Sequence, residues 1–421
     1  MKLSTIAIAF LGCASSALGS PLLPRQKKSS SSTVSVATSS EVSSSSLSAN
    51  YTQTISIADA ATTTDSILSV AQGKYGALFK PKVMIVNMFK KEETRWISNL
   101  ELKHNISVPM LSPEYPYVHS NANFSIMSVT TGEGEINAAA TISSLVMSPL
   151  FDLTETYFLI SGIAGGSPEE VTVGSVTFAK YAVQVGLAYE IDSREIPADW
   201  PYGYISLGTD EINEYPINIY GSEIFELNEN LLKRAMKLAS NVTLNNGTAG
   251  NVAIRQKYNK DWPAYQSPKI VECDTATSDV YWTGEILAKA MGDYVSTVSN
   301  NTAKYCSTQQ EDNASLEAMV RAAKHGIIDY NRIVISRSIS DFERPPTGLN
   351  ATEFFFNTSQ GGSAAALDNL YIAGLPFVQD VLANWDSLYK DNKFAPTNYI
   401  GDYLETLGGT KNFGKTTHKI A

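Results

Sequence analysis

The stretch Arg332-Ile-Val-Ile-Ser-Arg-Ser-Ile-Ser-Asp-Phe-Glu-Arg-Pro-Pro346 decides the fold class of this protein. Its apolar, β-branched part, residues 333–336, is typical of a short buried strand. The strand delivers a single carboxylate, Asp341, to its C-terminal end, which is where open α/β sheets bind ligands. The stretch therefore predicts an α/β protein in which Asp341 is the leading candidate for a functional residue.

A second stretch, Tyr157-Phe-Leu-Ile-Ser-Gly-Ile-Ala-Gly-Gly166, repeats this design. Here a hydrophobic strand is expected to break into a glycine-rich turn, whose backbone can approach a ligand closely because glycine has no side chain. Gly162, Ala164 and Gly165 are therefore candidate ligand contacts. Two strand ends of this kind predict one shared pocket.

The rest of the chain alternates between strand and helix patterns. Strands are predicted at 83–86, 122–130, 157–161, 174–184 and 333–336, and helices at 92–99, 135–147, 222–239, 279–292, 315–324 and 364–385. The helix at 222–239 is predicted to begin at a Ser222 cap and to carry Ile224 and Leu227 on its apolar stripe. This order predicts a central sheet flanked by helices in one domain, residues 80–407, followed by a loose polar tail, residues 408–421.

The first 79 residues carry targeting and low-complexity patterns rather than a fold. Residues 1–19 combine Lys2, a short apolar centre and small residues near Gly19, which is typical of a secretory signal peptide. Residues 20–79 are rich in Ser and Thr and are interpreted as an O-glycosylated linker or a pro-segment. Nothing later approaches about 18 uninterrupted apolar residues, so no transmembrane helix is predicted. We expect a secreted or cell-wall protein.

Sequons and cysteines fit an exported protein. N-glycosylation sequons occur at Asn50, Asn105, Asn123, Asn241, Asn246, Asn300, Asn313, Asn350 and Asn357. After removal of the signal peptide with Cys13, the remaining cysteines are Cys273 and Cys306. An exported chain with two cysteines most simply forms one disulfide between them.

The charge balance disfavours several classes of partner. The 421-residue chain has a net charge of −10 and a pI near 5.1, which would repel nucleic acid and anionic membrane surfaces. A small neutral or cationic ligand is easier to accept. The four His residues are scattered, so no metal site is predicted and no cofactor is expected.

Seven sequence blocks, taken in order, resemble the fungal purine nucleoside permeases. The blocks are 90–96 (KKEETRW), 132–140 (GEGEINAAA), 161–166 (SGIAGG), 173–176 (VGSV), 276–282 (ATSDVYW), 308–314 (TQQEDNA) and 338–342 (SISDF). More distantly, the chain resembles nucleoside phosphorylases and the bacterial nucleosidases that cleave methylthioadenosine. The resemblance implies a phosphorylase- and nucleosidase-like fold with a central mixed sheet, a purine nucleoside ligand (adenosine, inosine or guanosine), and a homo-oligomer as one form of assembly.

The resemblance assigns catalytic roles to two carboxyl groups. Asp341 matches the general acid that protonates or hydrogen-bonds N7 of the purine, a task that requires a raised pKa. Glu92 matches the residue that positions the attacking water. The structural alternatives are that Asp341 caps the following turn and that Glu92 belongs to a solvated helix start.

The resemblance also predicts which residues hold the ribose and the base. Glu311, with Asp312 as the register alternative, matches the glutamate on the ribose hydroxyls, although an acidic pair at a helix start also suits the helix dipole. Here the chain reads Gln-Gln-Glu where the nucleosidases have Glu-Met-Glu. Asp279, Tyr281 and Trp282 lie in the block expected to face the purine, because rings stack on bases and a carboxylate accepts their N–H groups. A core position for the aromatic pair is the alternative.

These patterns support a hypothesis of N-glycosidic hydrolysis of purine nucleosides, in support of nucleoside uptake. The first alternative is a non-catalytic nucleoside-binding component of transport. The second is phosphorolysis, although phosphorolytic relatives place an arginine just before the glycine segment, where this chain has Ile160 and Ser161. Arg337 is the remaining candidate for a phosphate contact. A chain without spanning segments is not itself expected to form a carrier.

Overall fold

Strands and helices alternate through the part of the chain that the computed structural model describes, residues 77–398, 400–415 and 419–420. The strands are Val83–Asn87 (β1), His104–Ser107 (β2), Tyr117–Ser120 (β3), Ile126–Thr130 (β4), Tyr157–Gly166 (β5), Val176–Ala179 (β6), Tyr181–Gln184 (β7), Ala188–Glu190 (β8), Tyr204–Ser206 (β9), Asn218–Ile219 (β10), Ile224–Glu226 (β11), Ile270–Glu272 (β12), Asp274–Thr277 (β13), Tyr305–Gln309 (β14), Ile333–Phe342 (β15) and Lys419–Ile420 (β16). The helices are Lys90–Asn99 (α1), Glu135–Met147 (α2), Glu229–Ala239 (α3), Ala249–Arg255 (α4), Glu285–Ser299 (α5), Asp312–Lys324 (α6), Ala351–Asn357 (α7) and Ser363–Ala383 (α8). The predicted signal peptide, the Ser/Thr-rich segment up to residue 76 and the sequon at Asn50 lie outside the described residues.

Two long parallel strands, β5 and β15, form the centre of the sheet. They pair from Phe158 opposite Ile333 to Gly166 opposite Phe342, with an irregularity in register just before Asp341. The other edge of β5 pairs with β1 in parallel along its first half and with β14 in antiparallel at Gly165 and Gly166. The sheet is therefore mixed, and the first residues of both central strands are apolar because both of their faces are covered.

Part of the sheet closes on itself at Lys180. This residue alone separates β6, which pairs with β15, from β7, which pairs with β13. β13 in turn pairs with β14, β14 with β5 and β5 with β15, so the paired strands lead from β7 back to β6. The buried side chain of Asp274 holds this corner: it accepts hydrogen bonds from the backbone N–H of Lys180 (3.0 Å), Tyr181 (2.7 Å) and Lys304 (2.6 Å).

Helices cover both faces of the sheet and enclose two apolar clusters. One cluster lies between the sheet and the pair α2 and α6, and the other lies under α1, α3 and α8. Trp96 of α1 is fully buried, and its indole N–H donates to Ser161 Oγ at 3.2 Å. Gly374 of α8 allows this packing, since a Cβ there would lie 2.9 Å from the Trp96 ring. Among the described helices, none is long and apolar enough to span a bilayer.

The predicted α/β class, with a central sheet flanked by helices, is confirmed. The predicted glycine turn is wrong: β5 continues to Gly166 because β14 and β15 pair with it on both sides. The predicted strand 333–336 likewise extends to Phe342. The predicted helix at 222–239 begins only at Glu229, where the Asn228 side chain caps it, while Ile224–Glu226 is β11. The predicted helix at 279–292 begins at Glu285, after Gly284 at a φ of 117°.

The structure also bears on three smaller predictions, which concern the tail, the cysteines and one sequon. The tail is not loose at residues 411–415, because Phe413 is buried at 3% exposure and Asn412 donates to Glu226. The structure joins Cys273 and Cys306 in a disulfide, with Cα atoms 5.8 Å apart, next to the β13 and β14 pairing. The sequon at Asn313 is buried at 2% exposure, and its side-chain N–H donates to the backbone of Ser222, so it has no room for a glycan in the folded protein.

The corner at Asp274 provides a stability prediction. Replacement of Asp274 by Ala leaves three backbone N–H groups, one buried and two part-buried, without their acceptor, and an unpaired buried donor costs about 1–3 kcal/mol. We expect a loss of about 3 kcal/mol or more in the free energy of unfolding, measured by urea titration. Asp192→Ala, which removes an exposed pair with Arg194, is the control and should change it by less than about 1 kcal/mol. Equal effects of the two substitutions would contradict the role of Asp274.

Candidate functional site

A cavity of about 220 Å³ lies where the C-terminal ends of several central strands meet. Its wall is formed by the segment between β1 and α1, by the ends of β5, β14 and β15, and by residues of the 278–282 segment. These elements are distant in sequence and meet because β5 pairs with β1, β14 and β15. The location matches the rule that open α/β sheets bind ligands at carboxyl ends of their strands.

Asp341 reaches this cavity from the end of β15. Its Oδ2 accepts a hydrogen bond from Ser340 Oγ at 2.6 Å, and its Oδ1 accepts one from the Tyr281 hydroxyl at 2.8 Å. Burial raises the pKa of the Asp341 carboxyl above its usual range, while the two hydroxyl groups act in the opposite direction because they favour the ionised form. The carboxyl group of Asp341 therefore keeps its proton to higher pH than an exposed aspartate does.

Glu92, in the first turn of α1, lines the same cavity and is 1% exposed. Its Oε2 accepts from the backbone N–H of Met88 at 2.8 Å, and its Oε1 accepts from that of Ile163 at 2.6 Å. The carboxyl group thus joins the start of α1 to β5. Burial raises the pKa of Glu92 to about 8, and the positive charge of Arg337 and the backbone N–H groups oppose this rise.

A buried arginine organises the floor of the cavity. Arg337 is 1% exposed and donates to Asp312 Oδ1 at 2.6 Å, to Glu311 Oε2 at 3.3 Å and to Gln309 Oε1 at 3.3 Å. Asp312 has no exposed surface and does not line the cavity, whereas Glu311 does. Of the two residues considered for the ribose contact, Glu311 therefore lines the cavity, while Asp312 neutralises Arg337.

The cavity wall is acidic. Among the described residues that line it, five carry carboxyl groups: Glu92, Glu133, Glu311, Asp341 and Glu343. The only basic side chain in this lining is Arg337, whose charge is already shared by two carboxylates. In the described residues no group of three His, Cys, Asp or Glu side chains is arranged to hold a metal ion. The arrangement therefore suits a neutral or cationic ligand better than an anion.

The three residues predicted in the glycine segment have different positions. Ala164 and Gly165 line the cavity, and a Cβ on Gly165 would lie 3.3 Å from Asp341 Oδ1. Gly162 is not part of the lining. A Cβ there would lie 2.4 Å from Arg337 Nη1 and 3.0 Å from Glu92 Oε1, so Gly162 provides the space that this buried arginine needs.

The three predicted base-binding residues also differ in whether they line the cavity. Tyr281 and Trp282 line the cavity, with the Tyr281 ring 60% exposed at its mouth and Trp282 buried at 5% exposure. Asp279 is not in the lining: it is exposed, and its Oδ1 accepts from the backbone N–H of Glu135 at 2.8 Å. The carboxylate of Asp279 therefore caps the start of α2, where a negative charge is favourable.

Two site residues were missed in the sequence. Gln309 binds Arg337 and accepts hydrogen bonds from the backbone N–H of Glu311 (2.7 Å) and Asp312 (2.8 Å), which fixes the start of α6. Glu343 lines the cavity at 2% exposure. A signal existed for the second, because Glu343 follows Asp341 by two residues and such side chains share a face of an extended chain. Gln309 lies in the family block 308–314, but nothing in that block showed which groups its side chain would contact.

Fold and site together define an α/β protein with an acidic cavity at the ends of its central strands. The chain belongs to the purine nucleoside permease family, whose model matches residues 80–393. It is 51% identical over 367 residues to a purine nucleoside permease of Candida albicans, covering 86% of this chain and 90% of the relative. It is 41% identical over 319 residues to a probable purine nucleoside permease of Schizosaccharomyces pombe, covering 73% of this chain and 91% of the relative.

Solved structures with a similar fold include two hydrolases. A 5′-methylthioadenosine/S-adenosylhomocysteine nucleosidase of Colwellia psychrerythraea 34H, in complex with adenine, is 16% identical, with a TM-score of 0.43 over 73% of this chain and 97% of that chain. A futalosine hydrolase of Helicobacter pylori is 14% identical, with a TM-score of 0.41 over 72% of this chain and 98% of that chain.

The space beside Gly162 provides a test of the buried charge cluster. Gly162→Ala would displace the side chains of Arg337 and Glu92 from their present positions, because the added Cβ lies within 3.0 Å of both. We expect a loss of roughly 1–3 kcal/mol in the free energy of unfolding, as for other overpacked sites. Gly250→Ala, in α4 with no atom closer than 3.5 Å to the new Cβ, is the control and should not destabilise the protein. Urea unfolding of both variants makes the comparison.

Proposed function

We propose that the protein binds purine nucleosides in this cavity and hydrolyses their N-glycosidic bond. The observation that carries the proposal is the convergence of Asp341, Glu92 and Glu311 on one small cavity at the strand ends. The choice of ligand rests on the family, since the relatives are named purine nucleoside permeases. Hydrolysis of the nucleoside would support uptake by releasing the base and the sugar.

Each carboxyl group has a task that its surroundings suit. A protonated Asp341 donates its proton to N7 of the purine as the bond between C1′ and N9 breaks. Glu311 accepts hydrogen bonds from the ribose hydroxyls, and its negative charge stabilises the positive charge that develops on the sugar. In its ionised form, Glu92 accepts a proton from the water whose oxygen bonds to C1′. The products are the free base and ribose.

The charge of the wall favours water over phosphate as the nucleophile. A phosphate site needs cationic donors with free valences. Arg337 is the only cation among the described lining residues, and its donors are directed at Asp312, Glu311 and Gln309. A phosphate dianion would also meet several carboxylates in a low-dielectric cavity. Phosphorolysis is therefore the less favoured reaction.

The decisive experiment follows base release from the purified protein. Adenosine, inosine, guanosine and uridine are incubated with and without phosphate, and the products are separated by chromatography. Free purine in the absence of phosphate is the expected result. Release only with phosphate would identify a phosphorylase, and saturable nucleoside binding without release would identify a non-catalytic binding component of uptake.

Asp341→Asn separates catalysis from binding. The amide cannot supply the proton, so base release should fall by roughly 10²–10⁴, the usual contribution of a general acid, while nucleoside binding by calorimetry persists. Asp279→Asn is the control, because its carboxylate caps α2 outside the cavity lining. Base release by this control should stay close to that of the parent protein. An equal loss in both variants would contradict the role of Asp341.

The pH profile of kcat/KM should depend on the hydroxyl groups that donate hydrogen bonds to Asp341. The acid must be protonated, so kcat/KM falls as pH rises through the pKa of Asp341. Ser340 favours the ionised form, so Ser340→Ala raises this pKa further and moves the alkaline limb to higher pH. Ser338→Ala, which removes a buried hydroxyl of the same strand outside the lining, should leave the limb in place. A shift to lower pH in Ser340→Ala would refute this assignment.

We also infer that the protein is exported and glycosylated. The inference is supported by the signal-like N-terminus and by the disulfide between Cys273 and Cys306, which needs an oxidising compartment to persist. Secretion is tested by measuring the protein in culture medium and cell fractions. Site-resolved mass spectrometry after glycosidase treatment should find no glycan at Asn313.

A further inference from the structure

Glu133 is a carboxyl group of the cavity wall that the proposed reaction does not use. It lies in the turn between β4 and α2, flanked by Gly132 and Gly134 at φ angles of 85° and 91°, a backbone conformation that favours glycine. The backbone N–H of Gly134 donates to Glu311 Oε1 at 3.0 Å. The turn therefore holds Glu133 beside the carboxylate that is assigned to the ribose.

Glu133 differs from its neighbours in the wall in its access to solvent. Its side chain is exposed, whereas Glu92 and Glu311 are only 1% and 4% exposed. Within the part of the chain that the structure describes, the side chain of Glu133 makes no hydrogen bond and no ion pair. Water stabilises the charge of an exposed carboxylate, so Glu133 offers a negative charge and free acceptor oxygens to a ligand in the cavity.

The order of groups along the wall indicates which part of a nucleoside meets this carboxylate. In the proposed complex, Asp341 holds the purine and Glu311 holds the ribose hydroxyls. The purine leaves the ribose at C1′ and the 5′-carbon leaves it at C4′, on the other side of the ring oxygen. The 5′ end therefore points away from Asp341, and Glu133 is the exposed polar group next to Glu311.

We propose that Glu133 selects nucleosides with a free 5′-hydroxyl group. Its carboxylate accepts a hydrogen bond from this hydroxyl and repels a phosphate group at the same position. The proposal rests on the binding of purine nucleosides proposed above and does not depend on their hydrolysis.

A 5′-phosphate brings about two negative charges into this wall. At roughly 5 Å from a carboxylate, even in the high dielectric of an exposed site, the repulsion weakens binding by roughly tenfold. The described lining offers no free cation to offset it, because Arg337 is paired with Glu311 and Asp312. A nucleotide would therefore become a substrate only after hydrolysis of its phosphate ester.

The test compares adenosine, 5′-deoxyadenosine and adenosine 5′-monophosphate, and the same set built on inosine, with the full chain. Preference is measured as a ratio of kcat/KM where base is released, and as a ratio of dissociation constants from calorimetry otherwise. The parent protein should disfavour the monophosphate by about tenfold or more. It should disfavour the 5′-deoxynucleoside by roughly fivefold, since water competes for an exposed acceptor.

Two substitutions of Glu133 separate its charge from its hydrogen bond. Glu133→Gln keeps an acceptor oxygen and removes the charge, so it should lower the discrimination against the monophosphate by roughly tenfold and keep the preference for the 5′-hydroxyl. Glu133→Leu should lose both preferences. In the parent protein, 1 M salt should reduce only the discrimination against the monophosphate, because the Debye length falls to about 3 Å.

Glu114→Gln is the matched control. Burial raises the pKa of Tyr115 to about 12, and the negative charges of Glu114 and Glu133 add to this rise, so both carboxylates lie near the same ring. Glu114 is also exposed but does not line the cavity. Its substitution should leave both preferences as in the parent protein.

The outcomes separate this inference from the proposed function. Changes of the two preferences in the Glu133 variants, and not in Glu114→Gln, support it. Parent-like preferences in Glu133 variants that circular dichroism shows to be folded overturn the inference and leave the proposed function standing. A parent protein that binds the monophosphates as tightly as the nucleosides does the same. A parent protein that binds none of these compounds overturns both.

Discussion

The pairing of Arg337 with Asp312 is the interaction on which the site depends. The arginine lies in the middle of a fully covered strand, and the aspartate begins α6, so their 2.6 Å contact fixes a helix against the sheet. Removing water from such a pair costs several kcal/mol unless other groups complete its hydrogen bonds. Gln309, Glu311 and the carbonyl of Ile163 supply them. The cluster that stabilises the sheet also places Glu311 at the cavity.

The same cluster explains how the protein keeps several acidic groups in one cavity. A single guanidinium cannot neutralise all of them, and burial raises the pKa values of Glu92, Glu311 and Asp341. These carboxyl groups therefore keep their protons to higher pH than exposed carboxyl groups do. The acid catalysis proposed above needs a carboxyl group of this kind.

The sequence was sufficient for elements whose pattern is local. Val83–Asn87, Glu135–Met147 and the apolar starts of β5 and β15 were predictable from uninterrupted hydrophobic runs and from helical spacing. The extension of β5 through Gly166 was not, because it depends on pairing with β14, over 140 residues away. Ile224 and Leu227 fit a helical stripe by coincidence, because Ile224 pairs with Val183 of β7 and Leu227 follows the end of β11. Asp341 was found from its position at the end of a predicted strand and Glu92 through the family blocks. The contacts of Gln309 with Arg337 and with the start of α6 depend on the folded structure and could not be predicted.

The pairing of β5 with β15 has a consequence for how the protein acquires its activity. Phe158 and Ile333 are neighbours in the sheet but are separated by 175 positions in the chain, 333 minus 158. Parallel pairing over such distances forms slowly, because a long loop must close before the contacts form. During synthesis, β5 emerges long before its partner strand and has an unpaired apolar edge in the interval. The cavity can therefore be completed only after β15 has been synthesised, and until then the apolar edge of β5 is open to pairing with other chains.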